Sequence, residues 1–440
     1  MSDTIVALSS GRLPAGIAVI RVSGPGTRFA VETIFGRIPS PGKATYGTFR
    51  RRDGSLLDRG LLLFFSNPSS FSGEDVAEFQ VHGSRAVVAA LLQELTAFPD
   101  VRHAEPGEFT RRAFYNGKLD LTETEALADL IDAETEAQRR FALSNASGAQ
   151  RDLYSSWRAR LVEARALVEA EIDFADEDDV PGSVAAAVWR GIATLREEVS
   201  THIEGYRAAE IIRDGYDVVI LGAPNSGKSS LFNALVKRDA AIVTDEAGTT
   251  RDLLEVALDL GGVRVRITDT AGIREDAGRV ESIGIERALD RARSADLVLI
   301  LEDMETPVTF EIGSLHAPEV RVGTKADLIQ GVSGTHLGGY DLIVSSRTGA
   351  GFPELLAELE RRAIGSIGKV GDVLPSRLRH VELLRETMLH LADAEEKHEL
   401  PLELRAESLR LATHALGRIA GSVETEDLLD VIFSQFCIGK

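Results

Sequence analysis

The sequence predicts a multidomain α/β protein: an N-terminal α+β domain, an all-α helical domain, and an α/β phosphate-binding domain inserted between the two halves of the helical one. Three observations carry this prediction. Residues 1–118 alternate short β-like runs with Gly- and Pro-rich turns. Residues 119–213 switch to a helical hydrophobic period that returns after Pro375, and residues 214–366 between them repeat strand, Gly-rich turn and helix. An α/β unit flanked by amphipathic helices is most economically an insertion into one helical domain whose halves, 119–213 and 367–440, pack together.

In the N-terminal part, Thr4 to Leu8, Ile17 to Val22, Gly60 to Phe65 and Val76 to Val81 read as strands and Ser84 to Phe98 as a helix, with Pro39-Ser40-Pro41-Gly42 as punctuation. Thr122-Glu123-Thr124-Glu125 has capping-box form, with Leu127, Leu130 and Ile131 following at helical spacing. Leu153, Trp157, Leu161, Ala164 and Val168 continue the pattern. The acidic run Asp173 to Asp179 reads as a solvated helix-to-loop junction. After Pro375 the helical series is Val381, Leu384, Met388, Leu391, then Leu409, Ala412, Leu416, Ile419, then Leu429, Ile432, Phe433, Phe436.

Composition limits the function classes. With 44% apolar and 27% charged residues in 440, the chain is globular rather than disordered or fibrous. No apolar run approaches the roughly 18 residues of a membrane span, and Met1-Ser2-Asp3-Thr4 has no basic or apolar signal region, so a cytoplasmic location and no membrane partner are expected. Cys437 is the single cysteine, which excludes an internal disulfide and a multi-cysteine metal site. A net charge of −20 excludes a chain-wide basic coat for nucleic acid. Residues 1–118 hold 14 Lys and Arg against 11 Asp and Glu, so a polyanion would meet the chain there.

The inserted unit carries the chemistry. Asp217 to Leu221 is an apolar strand, Gly222-Ala223-Pro224-Asn225-Ser226-Gly227-Lys228-Ser229 a glycine-rich loop, and Ser230 to Val236 a helix. In such a P-loop, backbone N–H groups point at phosphate, Lys228 supplies charge to the β/γ oxygens, and the Ser229 hydroxyl can ligate Mg²⁺. Three segments follow in the order a GTP-binding domain requires. Gly248-Thr249-Thr250-Arg251-Asp252 offers Thr250 to complete the Mg²⁺ shell. The strand Val263 to Thr268 leads to Asp269-Thr270-Ala271-Gly272, whose aspartate backs the metal and whose glycine N–H can reach the γ-phosphate. Thr324-Lys325-Ala326-Asp327 and Ser345-Ser346-Arg347 stand at the base-reading positions, where Asp327 can accept two guanine N–H groups that adenine does not offer.

These four segments make the unit resemble the Ras-like P-loop GTPases of the translation-factor-like class. Two departures matter. The base-reading motif usually starts with Asn, and here Thr324 stands there, which predicts weaker binding with guanine preference retained. Ras-like enzymes place a water-orienting glutamine after Asp-Thr-Ala-Gly, whereas this chain has Ile273; Glu275, Asp276 and Glu281 are the nearby acidic alternatives.

The C-terminal Phe436-Cys437-Ile438-Gly439-Lys440 narrows the inference. Together with the P-loop, Gly248 to Asp252, Asp3-Thr4-Ile5-Val6-Ala7, Gly16 to Gly24, Ser72-Gly73-Glu74-Asp75-Val76, Pro106-Gly107-Glu108-Phe109-Thr110 and Lys118-Leu119-Asp120-Leu121, it resembles the MnmE (TrmE) family of tRNA modification GTPases across essentially the whole chain. The resemblance implies an N-terminal domain that is folate-binding-like, dimerises, and binds a 5-formyl-tetrahydrofolate-type donor through Arg21, Glu78 and Lys118, with Lys440 reaching in from the C-terminus. Read from its strand alone, Arg21 is a cross-strand ion-pair member. The resemblance further implies potassium-dependent hydrolysis, with K⁺ held by Asn225, Thr244, Glu246 and Thr249 in place of an arginine finger. It extends the GTP contacts to Ser230, Asp245 and Ala247, and selects Glu281 as the carboxylate activating water. Cys437 would act at the modification site.

The function this implies is the GTP-hydrolysing subunit of a complex that adds a carboxymethylaminomethyl or aminomethyl group to C5 of the tRNA wobble uridine. It would work as a homodimer joined through the N-terminal domain and form a heterotetramer with an FAD-dependent MnmG-type protein. No Gly-x-Gly-x-x-Gly fingerprint follows a strand here, so the redox cofactor must come from elsewhere. Two other readings are a ribosome-assembly GTPase of the Era or Der kind, which requires a KH domain or tandem P-loops that this sequence lacks, and a folate enzyme in which the GTPase only regulates.

Overall fold

In the computed structural model the described residues are 3–173, 183–238, 240–242, 254–269, 290–308, 317–329, 339–368, 373–396, 401–421, and the C-terminal positions 429, 432–434, 436 and 439. They form two compact units, one of residues 1–128, 145–193 and 389–440, the other of residues 129–144 and 194–388.

The first unit is built on β1 (Thr4–Leu8), β2 (Ala15–Ser23), β3 (Thr45–Arg50), β4 (Leu56–Phe65), β5 (Val76–Gly83) and β6 (Val101–His103), with α1 (Thr27–Phe35), α2 (Arg85–Thr96) and α3 (Glu108–Tyr115). The sheet order is β3-β4-β5-β2-β1-β6, antiparallel except for the β1–β6 pair. Alternation sorts the strands into two faces. Ile20, Leu62 and Phe79 point into a core with Val31 and Ile34 of α1 and Val88 and Leu91 of α2. The opposite face carries Arg21 and Glu78, and leaves Ile17, Tyr46 and Leu61 exposed.

The helical part comprises α4 (Leu121–Asp132), α5 (Glu136–Ala146), α6 (Ala149–Asp173), α7 (Ser183–Glu204) and α8 (Tyr206–Asp214). The capping box lies two residues before the predicted one. Asp120 Oδ1 accepts from Glu123 N at 2.8 Å while Glu123 Oε2 accepts from Asp120 N at 2.9 Å. An aspartate at the cap, with its short side chain, outcompetes Thr122. Of the apolar series on α6, Trp157, Leu161, Ala164 and Val168 are buried as their spacing predicts, while Leu153 is half-buried and Tyr154 is buried in its place; α6 packs against a C-terminal helix described below.

The second unit holds β7 (Tyr216–Gly222), α9 (Lys228–Val236), β8 (Leu254–Leu260), β9 (Val263–Asp269), β10 (Leu297–Asp303), β11 (Glu319–Thr324), β12 (Leu342–Ile343) and α10 (Phe352–Ser366). The sheet order is β12-β11-β10-β7-β9-β8, parallel except for the β8–β9 hairpin. Every residue of β7 is buried, as a central parallel strand requires. Beyond it come α11 (Leu378–Glu396) and α12 (Leu402–Ile419), the helix that packs on α6. Leu429, Ile432, Phe433 and Phe436 then bury against Leu121 and Phe114 in the first unit. The fold is thus an N-terminal α+β sheet domain, helices, and a parallel α/β P-loop domain in one chain. Among the described residues no helix is long and apolar enough to cross a membrane.

Candidate functional site

The phosphate loop joins β7 to α9, which begins at Lys228 rather than Ser230, so Lys228 and Ser229 both lie in its first turn. That turn presents backbone N–H groups without intrahelical partners, the basis of an anion site. Two backbone features allow the tight path. Asn225 and Gly227 hold positive φ, 62° and 91°. Gly222 approaches β10 so closely that a Cβ there would lie 2.4 Å from the Leu301 carbonyl oxygen. Lys228 Nζ donates to the carbonyls of Gly222 and Ala223 at 2.8 and 2.9 Å, which fixes the ammonium at the start of the loop.

Parallel register brings the other segments to the same end of the sheet. Ile220 of β7 pairs with Asp269 of β9, and Leu301 of β10 pairs with Gly222. Asp269 is fully buried, and its Oδ2 lies 3.4 Å from Ser229 Oγ. A hydroxyl beside a carboxylate is an all-oxygen donor set of the kind Mg²⁺ prefers.

Thr324, the last residue of β11, is buried; its Oγ1 is 2.7 Å from the Ser226 carbonyl oxygen and 3.2 Å from that of Glu302. Lys325 follows with φ 57°, and its Nζ pairs with Asp303 Oδ2 at 2.6 Å. Asp327 is exposed, and its Oδ1 accepts from the buried Ser345 hydroxyl at 2.6 Å. Ser345 is itself fixed by Ser345 N donating to the Ala350 carbonyl, while Ser346 is half-buried and Arg347 exposed. The structure therefore brings together Asn225, Ser226, Gly227, Lys228, Ser229, Asp269, Thr324, Lys325, Asp327 and Ser345, with Ser230 exposed on α9. Thr244, Asp245, Glu246, Ala247, Gly248, Thr249, Thr250, Thr270, Ala271, Gly272 and Glu281 lie outside the described residues, as do Cys437 and Lys440.

Sequence reasoning missed Asp303. Its signal was a carboxylate closing an apolar strand, Leu297 to Leu301, which the parallel register places opposite Thr324. Burial alone would raise the Asp303 carboxyl; hydrogen bonds from Lys325, the Glu305 amide and Thr306 outweigh burial and hold it below the usual aspartate range.

A second cluster lies on the N-terminal sheet. Arg21 and Glu78 stand directly opposite on β2 and β5, with Arg21 Nε donating to Glu78 Oε1 at 3.0 Å. The pair is the cross-strand ion pair that the strand alone predicts. The guanidinium also lies 5.6 Å from the ring centroids of both Phe71 and Phe109. Lys118 touches the same loop, since a Cβ on Gly73 would meet its Cγ at 3.3 Å. The C-terminal tail reaches the neighbouring strand: Ser9 Oγ donates to the Gly439 carbonyl at 2.7 Å, and Gly439, at φ 100°, lies too close to the Leu8 carbonyl for any side chain. Ala7, next to Leu8, pairs with Arg21. Arg21, Glu78, Lys118 and the end of the tail thus share one region of the first unit.

Behind it, Arg112 is fully buried and binds Asp3 Oδ1 at 3.0 Å, Glu74 Oε2 at 3.1 Å and Glu108 Oε1 at 3.0 Å. The Glu108 carboxyl, which burial would raise, is held low by Arg102, by the Glu105 amide and by Arg112.

Comparison with known proteins bears on the family to which the chain belongs. Residues 4–118 match the family described as GTP-binding protein TrmE N-terminus, and residues 121–437 match the MnmE helical domain family. A tRNA modification GTPase MnmE of Mesorhizobium japonicum is 63% identical over 439 residues, covering 100% of this chain and 99% of that protein. One from Brucella canis, of the same name, is 57% identical over 438 residues, covering 100% and 98%. Among solved structures, the G domain of the T. maritima FeoB iron transporter is 25% identical, covers 34% of this chain and 98% of its own, and has a TM-score of 0.26, too low to bear on the fold.

Proposed function

This chain belongs to the MnmE (TrmE) family of tRNA modification GTPases, and we propose that it is a GTPase acting as the potassium-dependent subunit of the complex that adds a carboxymethylaminomethyl or aminomethyl group to C5 of the tRNA wobble uridine. The observation that carries the reading is the convergence of the phosphate loop, Asp269 and the Thr324–Asp327–Ser345 group at one end of one parallel sheet.

In this reading the backbone amides of residues 225–230 hold the phosphates and Lys228 balances their charge. Ser229 and Thr250 would hold Mg²⁺ with Asp269 behind, and the ion supplies charge stabilisation at the phosphates. Asn225, Thr244, Glu246 and Thr249 would hold K⁺, which supplies the positive charge that an arginine finger gives elsewhere. Asp327 reads the base, with its carboxylate aligned by Ser345. Glu281 positions water. Arg21, Glu78 and Lys118, with Lys440, would bind the 5-formyl-tetrahydrofolate-type donor; a carboxylate and a guanidinium side by side fit the amide-like edge of a pterin. Cys437 acts at the modification centre.

We assign the domains as 1–118, 119–213, 214–366 and 367–440. The uncovered sheet face, with Ile17 at 64% and Tyr46 at 68% exposure, supports homodimerisation through the N-terminal domain. The FAD-dependent MnmG-type protein completes a heterotetramer in the cytoplasm.

The test is GTP hydrolysis in KCl and in NaCl at matched ionic strength. Strong stimulation by K⁺ is expected. Equal rates would leave a generic GTPase and reopen the Asn225 and Thr244 assignments.

A further inference from the structure

Strand β9 has two ends with different neighbours. At its C-terminal end Asp269 faces Ser229 of the phosphate loop. At its N-terminal end the turn Gly261–Gly262, with φ of 60° and 84°, meets the first turn of α5. The Gly262 carbonyl accepts from Ala137 N at 3.0 Å, one of the first amides of α5, which have no partner within their own helix. Two residues into β9, Arg264 pairs with Glu134 at 3.2 Å. Gln138 completes the contact: its Oε1 accepts from Glu134 N and Thr135 N, and its Nε2 donates to the Arg213 carbonyl at 2.8 Å. Ala137 and Phe141 pack on the core of the α/β sheet.

The arrangement is specific in sequence terms. Segment 129–144 precedes the phosphate loop by many residues, yet groups with the α/β unit. The β8–β9 hairpin is paired along its whole length, from Leu254 with Asp269 to Leu260 with Val263. A seven-residue strand spans about 20 Å, so paired backbone runs without a break from Asp269 to the Gly262–Ala137 contact. From α5 the chain continues at Asn145 into the other unit.

We infer that the β8–β9 turn is the contact through which occupancy of the GTP site is conveyed to α5, and that Glu134 and Arg264 are positioning residues for the tRNA reaction, acting through that helix. The inference rests on the reading that GTP hydrolysis serves tRNA modification. Neither side chain belongs to the nucleotide site, so breaking the pair separates the two activities. In a two-site coupling the expected effect is about fivefold to a hundredfold.

The experiment uses the full chain. Arg264→Glu and Glu134→Arg should each hydrolyse GTP in KCl within about twofold of wild type, yet lose about tenfold or more in tRNA modification with the flavoprotein partner; the double variant Glu134→Arg/Arg264→Glu should recover most of it. Wild-type modification by either single variant, or equal loss of both activities without recovery in the double variant, overturns the inference. Amide exchange tests it independently of tRNA. The Ala137 N–H should exchange at least about tenfold differently with GDP than with GDP and aluminium fluoride in KCl, and identical exchange overturns it. A wild-type chain that does not modify tRNA at all would count against the proposed function, while the exchange result would still decide the coupling.

Discussion

Thr324 Oγ1 lies 2.7 Å from the Ser226 carbonyl and 3.2 Å from the Glu302 carbonyl, so one hydroxyl serves the phosphate loop and the end of β10 at once. A hydroxyl has a single proton, whereas the asparagine usual at this position has two amide N–H donors. The base-reading segment is therefore latched to the phosphate loop by one donor fewer. Thr324→Val removes that donor and leaves the Ser226 carbonyl buried without it; GDP affinity should fall about fivefold to a hundredfold, from the roughly 1–3 kcal/mol such a loss costs. Thr324→Asn should hold or improve affinity. Nucleotide titrations of both variants measure this, and a valine variant with wild-type affinity would show that the hydroxyl fixes nothing the nucleotide needs.

Asp303 and Lys325 extend the same latch. The carboxylate accepts from Lys325 Nζ at 2.6 Å, Thr306 Oγ1 at 3.0 Å and Glu305 N at 3.0 Å. Because its folded pKa is held below the ordinary value near 3.8, the stabilisation is fully present above about pH 4 and is lost only as pH falls below that. The pair should thus add no pH dependence to nucleotide binding between pH 5 and 8. Asp303→Asn should weaken GDP binding about threefold to thirtyfold. Adding Lys325→Met should cost little more, since the two act as one unit; fully additive losses would separate them.

Glu281 is the proposed water-positioning carboxylate. Glu281→Ala should keep nucleotide affinity and lose about 10²–10⁴-fold in hydrolysis, the usual worth of such a group. Equal losses in affinity and turnover would make the residue structural.

How far the sequence could be read follows from which interactions are local. The phosphate loop, its strand and its helix were legible because each rests on short-range backbone requirements: an apolar run, residues tolerant of positive φ, and a helical turn. The strands β1, β2, β4 and β5 were legible as short β-like runs between Gly- and Pro-rich turns. Their order was not, because β3-β4-β5-β2-β1-β6 depends on pairing between distant segments. The edge strands β3 and β6 and the helices α1 and α3 escaped notice. β6 is three residues long with two of them exposed, and α3 is short and buries charged Glu108 and Arg112 beside Phe109 and Ala113, which masks its apolar face. Asp303 and the Glu134–Arg264 contact were invisible for the same reason: each is a single side chain given meaning by a partner far along the chain.

Arg112 shows what a buried charge demands. Its guanidinium is fully enclosed and faces Asp3, Glu74 and Glu108, tying β1, the loop before β5 and α3 together. Arg112→Met would remove the buried cation that Asp3, Glu74 and Glu108 share and leave Arg102 paired with Asp3 and Glu108 only, which costs about 3–5 kcal/mol. The N-terminal unit should then unfold at markedly lower denaturant, and Arg112→Met/Glu108→Gln should recover part of the loss. Urea titration followed by peptide-resolved amide exchange would locate the transition. An unchanged transition in the N-terminal peptides would contradict this role.

His202, buried beside His380 in the second unit, adds to that unit's acid sensitivity. His202 near the end of α7 is pushed down to about 4 by burial and by neighbouring His380, against a hydrogen bond to the Val373 backbone that acts the other way. Both imidazoles are buried, His380 completely. A folded state that disfavours the imidazolium binds fewer protons than the unfolded chain wherever the free imidazole titrates. The contribution of His202 is therefore fully present above about pH 6.5, declines as pH falls from there to about 4, and is constant below. Integrated over that interval it amounts to roughly 3 kcal/mol for this one group. Thermal unfolding should show the temperature of the second unit's transition dropping between pH 6.5 and pH 4. His202→Gln, which cannot titrate, should make that decline shallower by close to one proton's slope. A variant whose pH profile runs parallel to wild type would assign the acid sensitivity to other groups. Because α7 leads into α8 and then β7, loss of this pair would loosen the helices at the base of the phosphate-binding sheet, so GTP affinity should be retained at neutral pH and fall with the same midpoint as the unfolding transition.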